Sequence, residues 1–125
     1  MLNARSVGAS IPVADLDRAV RWYAEKLGLN DGALVSGGVD AQVKQIFANA
    51  KGLLEKSGAR LDQVVKCTVF LTSMDDFATM NAAYVECFAG HRPTRSTVGN
   101  VTMALGASVE IEFTAFTGAA GIKEP

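Results

Sequence analysis

Val64-Val65-Lys66-Cys67-Thr68-Val69-Phe70-Leu71, running on into Thr72-Ser73-Met74-Asp75-Asp76-Phe77, is the stretch on which the fold turns. Its residues alternate in period two. Val65, Cys67, Val69 and Leu71 fall on one side, Lys66 and Thr68 on the other, with Phe70 an apolar exception. That alternation and the β-branched content predict a strand. Ser73 stands three residues ahead of Asp76, a capping-box-like start that puts acids in a first helical turn, where the helix dipole favours them. Phe77, Met80, Tyr84, Cys87 and Phe88 then recur at helical spacing, and Gly90 and Pro93 close the helix. A second β-rich run opens at Arg95 and reaches Met103. An arginine at the mouth of a strand, just past a helix–proline turn, is well placed to hold a carboxylate.

Downstream, a turn at Gly106 leads into a strand from Ala107 to Thr117, in which Val109, Ile111, Phe113 and Ala115 alternate with Glu110, Glu112 and Thr114. Upstream, Val39, Val43, Ile46, Phe47, Ala50, Leu53 and Leu54 follow the i, i+3, i+4, i+7 rule, with Gln42, Lys44, Gln45 and Lys51 opposite and Gly58 at the end. Further back, Val7, Ala9, Ile11 and Val13 form a short alternating run with Pro12 near its end, as on an edge strand. Asp15 reads as an N-cap for a helix whose stripe is Leu16, Ala19, Val20, Tyr23 and Leu27; Trp22 borders the stripe and Gly28 stops it. Asn30-Asp31-Gly32 is a turn signal, Ala33 to Ser36 a brief strand, and Gly118 to Pro125 a frayed tail.

The order β-α-β-α-β-α-β-β predicts an α+β fold, a single mixed sheet with helices packed on one face, in one domain over residues 1–125. The last two strands are close enough in sequence for a hairpin. Thr68, Phe70 and Phe116 make the other sheet face partly apolar, a property that usually marks an oligomer interface.

Hydrophobic residues make up 49% and charged residues 20%, as in ordinary globular chains, and a net charge of −1 gives no reason to expect nucleic acid or an anionic membrane as partner. No apolar run approaches membrane length and no signal peptide opens the chain, so a cytoplasmic location is expected. Cys67 and Cys87 read as reduced core thiols. His91, the only histidine, reads as a helix-terminus residue facing the C-terminal dipole. A single histidine argues against a metal site, and the lack of a basic stripe or paired histidines argues against ribonuclease chemistry.

Asp40-Ala41-Gln42 opening a helix, Val64 to Leu71, Asp76 to Tyr84, Pro93-Thr94-Arg95-Ser96-Thr97-Val98 and Val109-Glu110-Ile111-Glu112 are five segments that follow one another over about two-thirds of the chain. Over residues 39–118 the chain resembles the reactive-intermediate deaminase (Rid) family, the 2-iminobutanoate/2-iminopropanoate deaminases once labelled L-PSP endoribonucleases. Ser10 to Ala19, continuing through Trp22-Tyr23 to Lys26-Leu27-Gly28-Leu29, instead resembles the opening βα unit of the vicinal-oxygen-chelate (glyoxalase/bleomycin-resistance) superfamily. The two together suggest a chimera, with a replaced βα segment joined to a Rid core between about Leu29 and Val39.

The Rid resemblance implies a chorismate-mutase-like core, a homotrimer with pockets between subunits, no cofactor and no metal. It also implies hydrolysis of small 2-imino acids to 2-keto acids. Arg95 matches the family's carboxylate-binding arginine, Glu110 the acid of the final strand and Asn81 a pocket asparagine. Thr97 takes a position that is often cysteine, and Ser36 corresponds to a pocket serine. The family's N-terminal tyrosine has no counterpart, and Gly99 stands where a glutamate is usual. Plain structural readings stand beside these: Arg95 as a surface strand end, Glu110 and Glu112 as the solvated side of a strand, Asn81 as an exposed helix position. Two further readings of the whole remain open, an inactive Rid-like oligomer that binds small carboxylates and a structural hybrid without enzymatic function.

Overall fold

A computed structural model describes the backbone of residues 4–7 and the chain from 26 to 116. The strands are β1 (Ala4–Val7), β2 (Leu29–Asn30), β3 (Ala33–Leu34), β4 (Val64–Leu71), β5 (Thr94–Val98) and β6 (Val109–Phe116), and the helices α1 (Val39–Lys56) and α2 (Phe77–Phe88). Four strands form one sheet in the order β1-β6-β4-β5, and β2 and β3 form a separate hairpin. β4 and β5 run parallel with α2 as their crossover, while β6 is antiparallel to both β4 and β1. The architecture is the expected α+β arrangement. α1 and α2 pack on one face of the sheet, sharing a core with Val69, Leu71, Val109, Ile111 and Phe113.

α1 buries the stripe read from its sequence, with Leu53 only partly covered. Its end is a complete Schellman turn. Ala59 N–H bonds to Leu54 O and Gly58 N–H to Glu55 O, and Gly58 takes φ +79°, a conformation a Cβ would oppose. α2 begins differently from the capping box expected at Ser73. The Ser73 hydroxyl accepts a hydrogen bond from Asp75 N–H at 3.1 Å and caps a 3-10 turn over Met74–Asp76; the α-helix starts only after it.

The alternation in β4 does not begin at Val65. A register shift between Val64 and Lys66 turns Val64 into the core, 1% exposed, and leaves Val65 41% exposed. Gln42 is not on the polar side of α1; it is buried, and its Oε1 accepts the Ser108 N–H at 2.9 Å, tying α1 to the turn before β6. Finally, β5 and β6 form no hairpin. The chain leaving β5 crosses the end of β4, where Val101 N–H bonds to Leu71 O and Thr72 N–H to Ser108 O, and β6 enters on the far side of β4.

The first strand lies at Ala4–Val7, earlier than the Val7–Val13 run, because it pairs with the end of β6, Ala4 against Phe116 and Val7 against Phe113. The rest of that run, the helix expected from Asp15 as far as residue 25, and the tail from 118 lie outside the described residues. Asp31 and Gly32 form the two-residue turn between β2 and β3, both at positive φ (54° and 81°), as a type I′ hairpin requires. A second small core of Leu27, Leu29 and Ala107, with Leu34 and Met103 against it, fixes this hairpin, and Asn49 Nδ2 donates to Leu29 O from α1.

Candidate functional site

Strand register decides which candidate residues can meet. Arg95 stands opposite Cys67 and Thr97 opposite Val69, so both project to the helix side of the sheet, at its β5 edge. There α2 presents Phe77, Asn81 and Tyr84, spaced i, i+4, i+7 on one face. Arg95 Nη1 donates to Asn81 Oδ1 at 2.6 Å. Its guanidinium carbon lies 4.7 Å from the Tyr84 ring centroid and 5.5 Å from that of Phe77. The cation is therefore held by two aromatic rings and one amide. Among the described residues it forms no ion pair, so most of its five-donor fork is left for another acceptor. Arg95 is thus more than a free strand-end arginine, and Asn81 more than an exposed helix position.

Glu110 is elsewhere. It stands opposite Phe70 and alternates with the buried Val109 and Ile111, so it projects from the sheet face away from α1 and α2. Within one chain Arg95 and Glu110 lie on opposite faces. Glu112 shares the face of Glu110 and stands in the row of Thr68 and Ser96, one residue from the row of Arg95. Both carboxylates are paired with one lysine: Lys26 Nζ lies 3.1 Å from Glu110 Oε2 and 2.9 Å from Glu112 Oε1. Sequence reasoning passed over Lys26. The available signal was indirect: two carboxylates at i, i+2 on one strand face call for a cation nearby.

Ser36 is exposed in the bend between β3 and α1 and makes no side-chain hydrogen bond among the described residues. One cleft on the described surface lies between α1 and α2 beside Lys44 and Glu86, and another at the end of β4 beside Thr72 and Ser108. Neither is lined by Arg95, Asn81, Thr97, Ser36 or Glu110. His91 N–H meets the last helix carbonyl, Phe88 O, at 3.1 Å, and its ring Nε2 donates to Val64 O at 2.6 Å, pinning the turn after α2 to the start of β4.

Beneath Arg95 lies a buried polar pair. Tyr84 is 6% exposed, and its hydroxyl makes no hydrogen bond of ordinary geometry; the Cys67 thiol is its polar neighbour. Burial pushes the Cys67 thiol from its ordinary 9.0 up to about 11, against smaller opposing effects of the Tyr84 hydroxyl and the Arg95 charge. Burial, reinforced by Cys67, drives the Tyr84 phenol up as well. Burial also raises the Cys87 thiol. In the unfolded chain Cys67 ionises at the lower pH. Its contribution to stability is therefore present in full below about pH 9 and lost as the pH rises toward 11, by roughly 3 kcal/mol at most. Urea denaturation between pH 8 and 11 is expected to show this fall, and Cys67→Ala to reduce its slope. An equal slope in the variant would assign the alkaline loss to other groups.

The family model described as Endoribonuclease L-PSP matches residues 17–117, reaching into the segment that resembles the vicinal-oxygen-chelate unit. The mitochondrial protein MMF1 of Saccharomyces cerevisiae is 38% identical over 82 residues, 66% of this chain and 57% of that protein, so the matched part spans little more than half of the yeast protein. The 2-iminobutanoate/2-iminopropanoate deaminase of Mus musculus is 34% identical over 115 residues, 90% of this chain and 84% of that enzyme. Among solved structures, the YjgF gene product of Escherichia coli superposes with a TM-score of 0.68 at 33% identity, over 73% of this chain and 75% of that one. Escherichia coli TdcF with bound serine does so with a TM-score of 0.69 at 28% identity, over 74% and 76%. On sequence and on fold together, the chain belongs to the Endoribonuclease L-PSP family, the Rid family that its central and C-terminal segments resemble.

Proposed function

We propose that this chain is a 2-imino acid deaminase, one domain that assembles as a cytoplasmic homotrimer and hydrolyses small reactive imines to 2-keto acids and ammonia without a cofactor. The observation that carries the reading is Arg95, a guanidinium fixed by Asn81, Tyr84 and Phe77 with no carboxylate partner among the described residues. Such a group suits the carboxylate of a 2-imino acid, which it can hold through two parallel hydrogen bonds. Thr97, on the same side of β5, lines the site in this reading, and Ser36 joins it from the loop before α1.

Arg95 and Glu110 face opposite ways within one chain, so the reaction needs Glu110 of a second copy. The half-buried face bearing Thr68, Phe70, Thr114 and Phe116 offers the apolar contact for that copy. Glu110 then takes a proton from water as the water oxygen adds to the imine carbon, and hands it to the nitrogen. Collapse of the carbinolamine breaks the C–N bond and releases ammonia. The mouse relative's description as an imine deaminase and the serine bound to TdcF support a small amino-acid-like ligand. The separate origin read for residues 1–29 is not needed here: whatever its source, the segment delivers Lys26. No helix among the described residues is long and apolar enough to cross a membrane, and MMF1 is described as mitochondrial.

A second reading, a carboxylate-binding oligomer without turnover, is favoured by one observation, that Glu110 is already paired with Lys26. Freshly generated 2-iminobutanoate separates the two. Loss of imine above the buffer rate, from a protein that sediments at three times the chain mass, is the expected result. Binding of 2-ketobutanoate without imine loss selects the second reading, and a monomer that binds nothing rules out both.

A further inference from the structure

Lys26 is the one charged side chain that is buried among the described residues, at 7% exposure. Its position is set by backbone: the next residue, Leu27, is fully buried and forms an antiparallel bridge with Glu110. The ammonium lies 3.1 Å from Glu110 Oε2 in an ion pair and donates to Glu112 Oε1 at 2.9 Å. A buried ion pair is weak grounds for a purely stabilising role, because desolvation offsets much of the attraction. Its better-supported effect is to fix geometry. A glutamate on a half-exposed strand face has three rotatable bonds, and a bond from Lys26 to one of its oxygens removes most of that freedom.

We infer that Lys26 is a positioning residue for the imine hydrolysis proposed above: by holding Glu110 through Oε2, it presents Oε1 to the water that adds to the imine carbon. The inference rests on the deaminase reading. In the addition step the water oxygen forms the C–O bond, the C=N π pair moves to nitrogen, and the water proton passes through Glu110 Oε1 to that nitrogen. In the collapse the carbinolamine hydroxyl proton takes the same route, the C–N bond breaks and ammonia leaves. Lys26 takes no part in these transfers. Its charge also leaves the triad of Lys26, Glu110 and Glu112 with one net negative charge, which favours the positive charge that builds on the nitrogen as it accepts each proton, while Arg95 of the other copy takes the carboxylate.

The test compares Lys26→Met, Lys26→Gln and Lys26→Arg with the parent chain on 2-iminobutanoate, with kcat expressed per folded protein from circular dichroism. Lys26→Met and Lys26→Gln are expected to lose at least tenfold in kcat with KM within twofold. Lys26→Arg, which keeps the charge and the donor, should return kcat to within about threefold of the parent. If Lys26→Met does not fold, Lys26→Gln, which keeps a hydrogen-bond donor, decides the matter. An unchanged kcat per folded protein, or a loss carried by KM, overturns the inference and leaves Lys26 a structural anchor. A parent chain with no turnover overturns the deaminase reading first and this role with it, an outcome visible before any variant is made.

Discussion

Replacing Arg95 by alanine is expected to lower kcat/KM for a 2-imino acid about a thousandfold while the chain stays folded. The size follows from the contacts. A carboxylate held by two charge-assisted hydrogen bonds gains about 1.5–3 kcal/mol from each, and part of the sum returns as water refills the site. A loss of about 4 kcal/mol corresponds to a thousandfold. Arg95 is half-buried at an edge strand and leans on Tyr84 and Phe77 without being part of the core, so the fold does not depend on it. Lysine is a poor substitute. Its ammonium cannot lie flat between two rings while donating to Asn81 and to both oxygens of a carboxylate. Arg95→Lys is therefore expected to remain at least tenfold below the parent. Steady-state kinetics with 2-iminobutanoate and calorimetric titration with 2-ketobutanoate should move together. An alanine variant within threefold of the parent on both would remove Arg95 from the site.

The elements were legible wherever one face of a periodic segment is buried. α1, α2 and β6 follow their apolar stripes because each meets a single core. What was not legible depended on partners distant in the chain. The bulge that exchanges Val65 for Val64 is set by pairing with β6, and nothing within Val64-Val65-Lys66 announces it. Gln42 looks polar-faced on α1 until Ser108, 66 positions away, supplies a buried N–H. The expected β5–β6 hairpin followed from sequence proximity, which says nothing of the strand that lies between them.

The site divides in the same way. Arg95 and Asn81 were readable because a strand end and a helix face fourteen residues apart carry them, and they meet at 2.6 Å. That Glu110 faces the other way is a consequence of alternation that a residue-by-residue comparison does not bring out. Lys26 was hidden because its partners Glu110 and Glu112 lie far downstream, the second of them 86 positions away, and because an isolated lysine near a helix end carries no signal of burial.

Phe47→Ala is expected to be the most destabilising of the substitutions considered. Phe47 is 3% exposed at the centre of the buried face of α1, and its ring meets three others. The centroids of Tyr84, Phe88 and Phe113 lie 5.8, 4.9 and 5.3 Å away, each close to perpendicular, at 84°, 89° and 84°. Removing a buried phenylalanine costs about 3–5 kcal/mol through lost transfer energy and the cavity left behind. Three edge-to-face contacts, each worth about 0.5–1.5 kcal/mol beyond burial, place this residue at the upper end of that range. Domains of this size hold about 5–15 kcal/mol in all, so the variant retains little margin. Phe47→Leu, which keeps most of the volume and loses the ring geometry, is expected to cost about 1–2 kcal/mol. Urea denaturation measures both, with an unchanged m-value showing that the native state itself is intact. A cost below about 1.5 kcal/mol for alanine would mean that the cluster collapses into the space and that the core has another centre. The same ring reaches the site at one remove, because Tyr84 meets Phe47 in a T-shaped contact and supports Arg95 on its face. Where Phe47→Leu remains folded, 2-ketobutanoate is therefore expected to bind several-fold more weakly, since the cation loses part of the support that holds it still.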